Sequence, residues 1–368
     1  MVEMLRQGHD VPASRILLII PNFHGYEDKL SAALEDMGHQ CLRVDERPGN
    51  GFWLKALARL RLLQRVKPLI DAHVERIVEN AQSFDPEIVL VVNAETLKAR
   101  EIKRLRRAFP QARFLLYMWD SSAKKDVGVA LIQCFDRAYS FDPVDSRNIP
   151  GLVHLPLFHS HKQMELPTTA GGSDHDYDFS FVGTARLRRL RELSRIAAGL
   201  RQSGRPYLFY LYAASAAQYA MFRVAARMVG YRDTLTRVSM PYEQYANVTM
   251  RSRCIVDIEQ SDQNGLTIRT IEAVFSGRPL VTSNCNIGQY DFAGDLAVST
   301  IEPGPEGLMV PNYRDVSSFE GYFEKYGIRS WLGAILSERV PDYFGKGGKL
   351  PEDARSEMTA ERSAKVVG

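Results

Sequence analysis

Apolar residues fall along this chain in short unbroken runs separated by longer stretches of helical spacing. Arg15–Ile20 (RILLII), Glu87–Val92 (EIVLVV) and Arg113–Met118 (RFLLYM) are continuous enough to read as strands buried on both faces. Gln40–Val44, Asp136–Phe141 and Leu152–Leu157 read as three more. Between them lie helical patterns at Glu27–Met37, stopped by Gly38, and at Thr96–Phe109. Phe52–Ala81 is also helical, interrupted or kinked near Pro68. Strands spaced by helices predict a parallel sheet covered on both faces.

The alternation stops between Phe158 and Tyr177, a polar stretch with Pro167 and a Gly171-Gly172 pair, and then restarts. Strands are expected at Tyr177–Val182, Tyr207–Tyr212, Cys254–Ile258 and Leu280–Thr282. Helices are expected at Arg186–Arg201, Tyr242–Met250, Ile268–Ser276 and Val316–Tyr326. A chain of 368 residues suits two such domains. The reading is therefore an α/β domain over 1–165, a second over 176–345 and a frayed polar tail over 346–368. Two open α/β domains on one linker predict a cleft, with ligands outside the carboxyl ends of the strands.

Composition narrows the choice. Hydrophobic residues are 45% and charged residues 25% of the chain, which excludes global disorder. Lys+Arg of 47 against Asp+Glu of 44 excludes a strongly basic nucleic-acid coat while allowing a local basic patch, so no nucleic-acid partner is expected. No apolar run approaches the roughly eighteen residues of a membrane span. The first fifteen residues lack the apolar core of a signal peptide. Cys41, Cys134, Cys254 and Cys285 are far apart and form no C-x-x-C, so neither a disulfide framework nor a zinc ribbon is expected. A cytoplasmic protein is the default, with the inner face of the membrane as a place of work.

The most informative segment is Asp257–Asn284, DIEQSDQNGLTIRTIEAVFSGRPLVTSN: a strand, a polar glycine-containing loop, a helix, a Gly-Arg-Pro turn and another strand. Loop amides around Asn264, and the positive end of the helix near Thr267, suit a diphosphate. Gly265 permits close backbone approach, Arg269 adds a cation, and Glu272 sits a turn or two further along the same helix. The ordinary alternative is a βα loop with a solvated glutamate and arginine. A second segment, Asp178–Arg189 (DFSFVGTARLRR), ends a strand in Gly183-Thr184 and brings Arg186, Arg188 and Arg189 to a helix start. Cations there oppose the helix dipole and make better sense beside a phosphate, for which Arg186 is the preferred ligand; a solvated basic face is the alternative.

In the first half, Tyr117-Met118-Trp119-Asp120 closes the fourth strand. Asp120 suits a general base that takes the proton of an acceptor hydroxyl, another role in the cleft, or a cap on the next helix. Glu95, after the third strand, is the second candidate base, or simply an acid at a helix start. His24, after the first strand, is the third, or simply a loop residue. His154, His159 and His161 have no Cys or carboxylate companions at ligand spacing, and no metal site is read from them. Phe52–Lys67 carries Lys55, Arg59, Arg61, Arg65 and Lys67 without an acid, among leucines and Trp53. It reads either as a contact with an anionic membrane or lipid-linked acceptor, or as a helix with one buried stripe and a wet basic face.

The Asp257–Asn284 pattern resembles the donor-binding segment of GT-B glycosyltransferases. Tyr117–Asp120, with Phe135–Asp145 and Leu155–Phe158, looks like a subgroup of bacterial surface-polysaccharide glycosyltransferases, with likeness to CgeB-type proteins. The resemblance covers most of Arg15 to Tyr326. It implies two Rossmann-like domains with parallel sheets facing across a cleft, a nucleotide-sugar donor held without metal or other cofactor, and a saccharide or lipid-linked acceptor. It also implies that Glu272 holds the donor ribose, that the Phe-x-Gly-Thr opening at Phe181–Thr184 begins the donor domain, and that Asn264 stands where many retaining members carry a glutamate. Two further classes fit the same pattern: a non-catalytic sugar- or nucleotide-binding α/β clamp, and a nucleotide-sugar epimerase.

Overall fold

In the computed structural model, residues 12–23, 25–48, 63–121, 129–161, 175–259, 264–301, 308–315 and 317–345 are described. The chain forms two α/β units, each built on one six-stranded sheet. The first unit comprises Met1–Lys162, Ser261–Glu272 and Gly321–Pro341, and the second comprises Gln163–Gln260, Ala273–Glu320 and Asp342–Gly368.

In the first unit the strands are β1 (Arg15–Ile20), β2 (Gln40–Asp45), β3 (Ile88–Val92), β4 (Arg113–Met118), β5 (Arg137–Ser140) and β6 (Leu152–His154). Their order is β2-β1-β3-β4-β5-β6, and every pairing is parallel. The central strands are buried on both faces, as their continuous apolar runs require; all five residues of β3 are buried. Helices α1 (Tyr26–Asp36), α2 (Leu63–Gln82), α3 (Ala99–Ala108), α4 (Val129–Ile132) and α5 (Pro143–Asn148) connect them. Helix α1 turns Tyr26, Leu30, Ala33 and Leu34 inward and stops at the expected Gly38, whose φ of 89° only glycine adopts readily. Helix α2 runs through Pro68 rather than ending there.

Helix α3 begins at Ala99, three residues later than its spacing suggests. The amides of Thr96 and Leu97 are given instead to the carboxylate of Glu46, at 2.5 and 2.8 Å. This buried side chain at the end of β2 pins the β3–α3 loop.

The second unit contains β7 (Tyr177–Thr184), β8 (Tyr207–Tyr212), β9 (Thr234–Thr236), β10 (Ser252–Asp257), β11 (Leu280–Thr282) and β12 (Val298–Thr300). The order is β12-β11-β10-β7-β8-β9, again all parallel. Its helices include α6 (Leu187–Gln202), α7 (Ala216–Val229) and α8 (Tyr242–Met250). Helix α7, not expected from the sequence, carries apolar residues on both its inner and outer sides. Helix α9 (Ile268–Val274) follows β10, and α10 (Phe319–Lys325) and α11 (Ile328–Ser337) close the described chain. Helix α11 belongs to the first unit. There Trp331 packs on Tyr117 and Phe158, with ring centroids 4.5 and 4.6 Å apart, and Arg113 donates to the carbonyl of Leu336.

Candidate active site

A sheet ordered 2-1-3-4 reverses its direction of growth between β1 and β3. The loops leaving the carboxyl ends of those two strands therefore diverge and open a crevice. Three segments of the first unit line this edge: Pro21–Phe23 after β1, Asn93–Glu95 after β3, and Trp119-Asp120 after β4. Asn93 is fully buried and holds φ at +57°, in the left-handed region that asparagine tolerates better than most residues. Its main-chain N–H donates to Tyr117 O at 2.7 Å, which sets the turn against β4.

That turn aims the Asn93 side chain at both candidate bases. Nδ2 donates to Asp120 Oδ2 at 3.0 Å and to Glu95 Oε1 at 3.1 Å. The opposite amide orientation would press its oxygen against two carboxylates, so the donor assignment follows from the partners. Asn93 Oδ1 is buried without a hydrogen-bond partner. Arg47 approaches Glu95 from the other side, Nε to Oε2 3.7 Å. Asp120 and Trp119 are half-buried, and Trp119 lies 5.6 Å from the exposed Phe23 ring, centroid to centroid. A carboxylate held by a neutral amide and still open to solvent can take a proton from a substrate hydroxyl. Sequence reasoning picked out both carboxylates and missed the asparagine that links them; a left-handed turn has no signature in Asn-Ala-Glu alone. The capping alternative for Asp120 depends on residues 122–128, which lie outside the described residues, as does His24. So do residues 52–62 of the basic Phe52–Lys67 segment.

Behind this edge, burial pushes the Glu46 carboxyl up to about 7 despite the amides of Leu97 and Thr96. At the end of β5, Asp142 caps α5 by accepting from Val144 N–H and also accepts from Asn264 N–H at 3.2 Å. Burial raises the Asp142 carboxyl above its usual range, with Asp145 adding to the shift. Gly265 fits tightly beside it: a Cβ there would lie 2.3 Å from the carbonyl oxygen of Phe141. Close approach thus governs Gly265, though toward the protein's own backbone. Thr267 caps α9, its Oγ accepting from Thr270 N–H at 3.2 Å, and Arg269 is half-buried two residues on.

Glu272, 5% exposed, is the most heavily engaged of the expected donor ligands. Its Oε1 accepts from Ser160 N–H at 3.1 Å, Ser160 Oγ at 2.8 Å and Tyr26 Oη at 3.3 Å. Its Oε2 lies 3.1 Å from His161 Nε2. Lys29 Nζ donates to Ser160 Oγ at 2.6 Å. Burial lowers Lys29 below the usual lysine range, with the charge of Glu272 acting against that shift. All these groups belong to the first unit. They orient the carboxylate and leave Oε2, with one partner against three on Oε1, as the oxygen better able to accept another hydrogen bond. Ser160, His161, Tyr26 and Lys29 were not singled out from sequence as neighbours of Glu272, and nothing in the local pattern points to it.

The three histidines part company. Burial pushes His154 down to about 4 and His159 down to about 3, so both are neutral at ordinary pH. His159 Nε2 bonds to Phe323 O at 2.8 Å and packs on the Phe323 ring. Among the described residues no group of histidine, cysteine and carboxylate side chains is arranged to hold a metal ion.

In the second unit the sheet reverses between β7 and β10. Gly183 and Thr184 end β7 there, half-buried. Arg189 spans the reversal: its guanidinium donates to Ile258 O at 2.9 Å and to Thr184 Oγ1 at 2.8 Å, and it is itself buried. This arginine fastens strand ends together, whereas Arg186 is exposed at the start of α6, a helix with no acid in its first turn.

No protein-family model matches the sequence, and comparison with curated proteins gives no match. Solved structures do match. The chain is similar to the N-terminal domain of trehalose-6-phosphate phosphatase from Candida albicans, at 10% identity and a TM-score of 0.60 over 89% of this chain and 96% of that one. It is also similar to a trehalose-6-phosphate synthase analysed with bisubstrate glycomimetics, at 11% identity and a TM-score of 0.53 over 89% of this chain and all (100%) of that one. A looser likeness, TM-score 0.44 at 14% identity over 89% and 91% of the two chains, is to the apo form of the lipopolysaccharide outer core galactosyltransferase WaaB. At such identities the first two matches define the fold. With the two parallel six-stranded sheets, it is the GT-B class, two Rossmann-like α/β units in one chain.

Proposed function

We propose that this chain is a nucleotide-sugar-dependent glycosyltransferase that moves a sugar onto a saccharide or lipid-linked saccharide acceptor in bacterial surface-polysaccharide or glycolipid assembly. The observation that carries the proposal is Asp120, after the strand next to the topological switch of the first sheet, held by Asn93 from a strained turn. In this reading the acceptor hydroxyl attacks the anomeric carbon while Asp120 takes its proton. The bond from that carbon to the diphosphate oxygen breaks, and the nucleoside diphosphate leaves. Glu272 receives the ribose hydroxyls through Oε2, and Arg186, Arg269 and the Gly183-Thr184 and Asn264–Thr267 loops serve the diphosphate. The basic Phe52–Lys67 segment meets the anionic surface that carries the acceptor.

The test begins with a thermal-shift screen of nucleotide sugars, followed by incubation with the stabilising donor, with and without a panel of saccharide acceptors. Transfer to an acceptor supports the reading. Release of free nucleoside diphosphate and an altered sugar without acceptor would make the chain an epimerase, and binding without turnover would make it a clamp. Asp120→Asn keeps shape and removes basicity, so turnover should fall by about 10²–10⁴ with donor affinity unchanged. Near-normal turnover would move the base to Glu95 or His24. The synthase of like fold transfers with retention; a base at Asp120 predicts an inverted product, so the product anomer is an independent check.

A further inference from the structure

Helix α7 has two apolar sides. Its inner side, Phe222 and Ala226, is buried in the core of the second unit, with Tyr219, Ala225 and Val229 packed against it. At 3.6 residues per turn the opposite side reads Ala217, Met221, Val224 and Met228, spaced i, i+4, i+7 and i+11. This is the side that charged residues ordinarily occupy. Met221 is 53%, Val224 59% and Met228 83% exposed, and Val238, beyond the next strand, is 66% exposed. No aspartate or glutamate occurs in α7. Arg223 and Arg227 are exposed along one edge of the stripe, and Arg232 and Arg237 are the next exposed cations in the chain. Asp233 lies between the latter two and is engaged by Tyr207 and Arg201.

We propose that α7 docks on an anionic membrane surface, with the methionine–valine ridge at the acyl boundary and the arginines at headgroup phosphates. A convex ridge of flexible methionines suits a soft apolar phase, which needs no matching groove. A second copy of the chain pairing on this ridge about a two-fold axis would bring its arginines toward their own counterparts, which the uncompensated charge disfavours. The inference rests on the exposure and charge of α7 and is independent of any transfer reaction.

The test is flotation of the full chain with vesicles of phosphatidylcholine alone or mixed with phosphatidylglycerol, with turnover playing no part. Wild type should favour the anionic vesicles. Arg223→Gln with Arg227→Gln should weaken that binding by roughly fivefold for each arginine removed, and added salt should mimic the change. Met221→Ser, Val224→Ser and Met228→Ser together should weaken it by about tenfold or more, without loss of folding because all three side chains face solvent. Wild type that ignores anionic vesicles would overturn the proposal. So would variants that float like wild type, which would leave membrane contact to Phe52–Lys67. A serine variant that changes oligomeric state while floating normally would overturn it too, identifying a second copy as the occupant.

Discussion

Replacing Asn93 with glycine separates what its backbone needs from what its side chain does. Glycine adopts the observed φ of +57° without steric cost, so the turn after β3 is kept. The substitution relieves about 1 kcal/mol of backbone strain and removes a buried, unpartnered Oδ1, itself costing about 1–3 kcal/mol. Against this stand two hydrogen bonds, at 3.0 and 3.1 Å, to carboxylates that are only half-buried. Each contributes about 1.5 kcal/mol, the low end for a charged acceptor. The terms nearly cancel, and the melting temperature should stay close to wild type or rise slightly. Activity should not follow stability. The base then loses the amide that holds it, Asn93 Nδ2 at 3.0 Å from Asp120 Oδ2. The freed carboxylate also loses its aim, so kcat near neutrality should fall by at least about tenfold while donor KM holds. The assay is kcat and KM for wild type and Asn93→Gly, with thermal melts in parallel. A normal kcat in folded Asn93→Gly would show that Asn93 only shapes the turn, and would sink the positioning argument.

Glu272→Gln should weaken donor binding by roughly tenfold to a hundredfold in calorimetric titration, the worth of about 1.5–3 kcal/mol to a charged acceptor. Alanine is the poorer probe, because it would also strip Ser160 and Tyr26 of their acceptor; an unchanged Kd in folded Glu272→Gln would remove Glu272 from the site. Glu46 predicts a pH-dependent stability. Its folded pKa of about 7 lies above the ordinary 4.5, so the folded state binds the extra proton, and stability present below pH 4.5 is lost as pH rises to about 7. The loss is at most about 3 kcal/mol, and Glu46→Gln should flatten it; denaturant curves of the two proteins that stay parallel across the window would refute the assignment.

Much of the architecture was legible because fully buried parallel strands are unbroken apolar runs bounded by polar turns. Arg15–Ile20, Arg113–Met118, Tyr207–Tyr212 and Leu280–Thr282 have the expected bounds. The three-residue strands β9 and β12 were missed, being too short to carry a pattern of their own. Helix α7, whose outer side carries Met221, Val224 and Met228, was also missed. The late start of α3 could not be read locally, since the group that takes its first amides, Glu46, lies on another strand.

The sequence by itself determined that this is an α/β chain with two parallel sheets, and it put the candidate polar residues in the loops after β1, β3, β4, β7 and β10. Those features depend on the alternation of apolar runs and helical spacings, which is local. Only the tertiary structure decided which polar groups meet. Asn93 reaches Asp120, 27 positions away, because β3 and β4 are sheet neighbours. Ser160 reaches Glu272 across 112 positions because Ser261–Glu272 folds with the first unit. A hydrogen bond depends on the distance and direction between two atoms, and for residues so far apart in sequence these are set by strand order and chain return rather than by neighbouring residues.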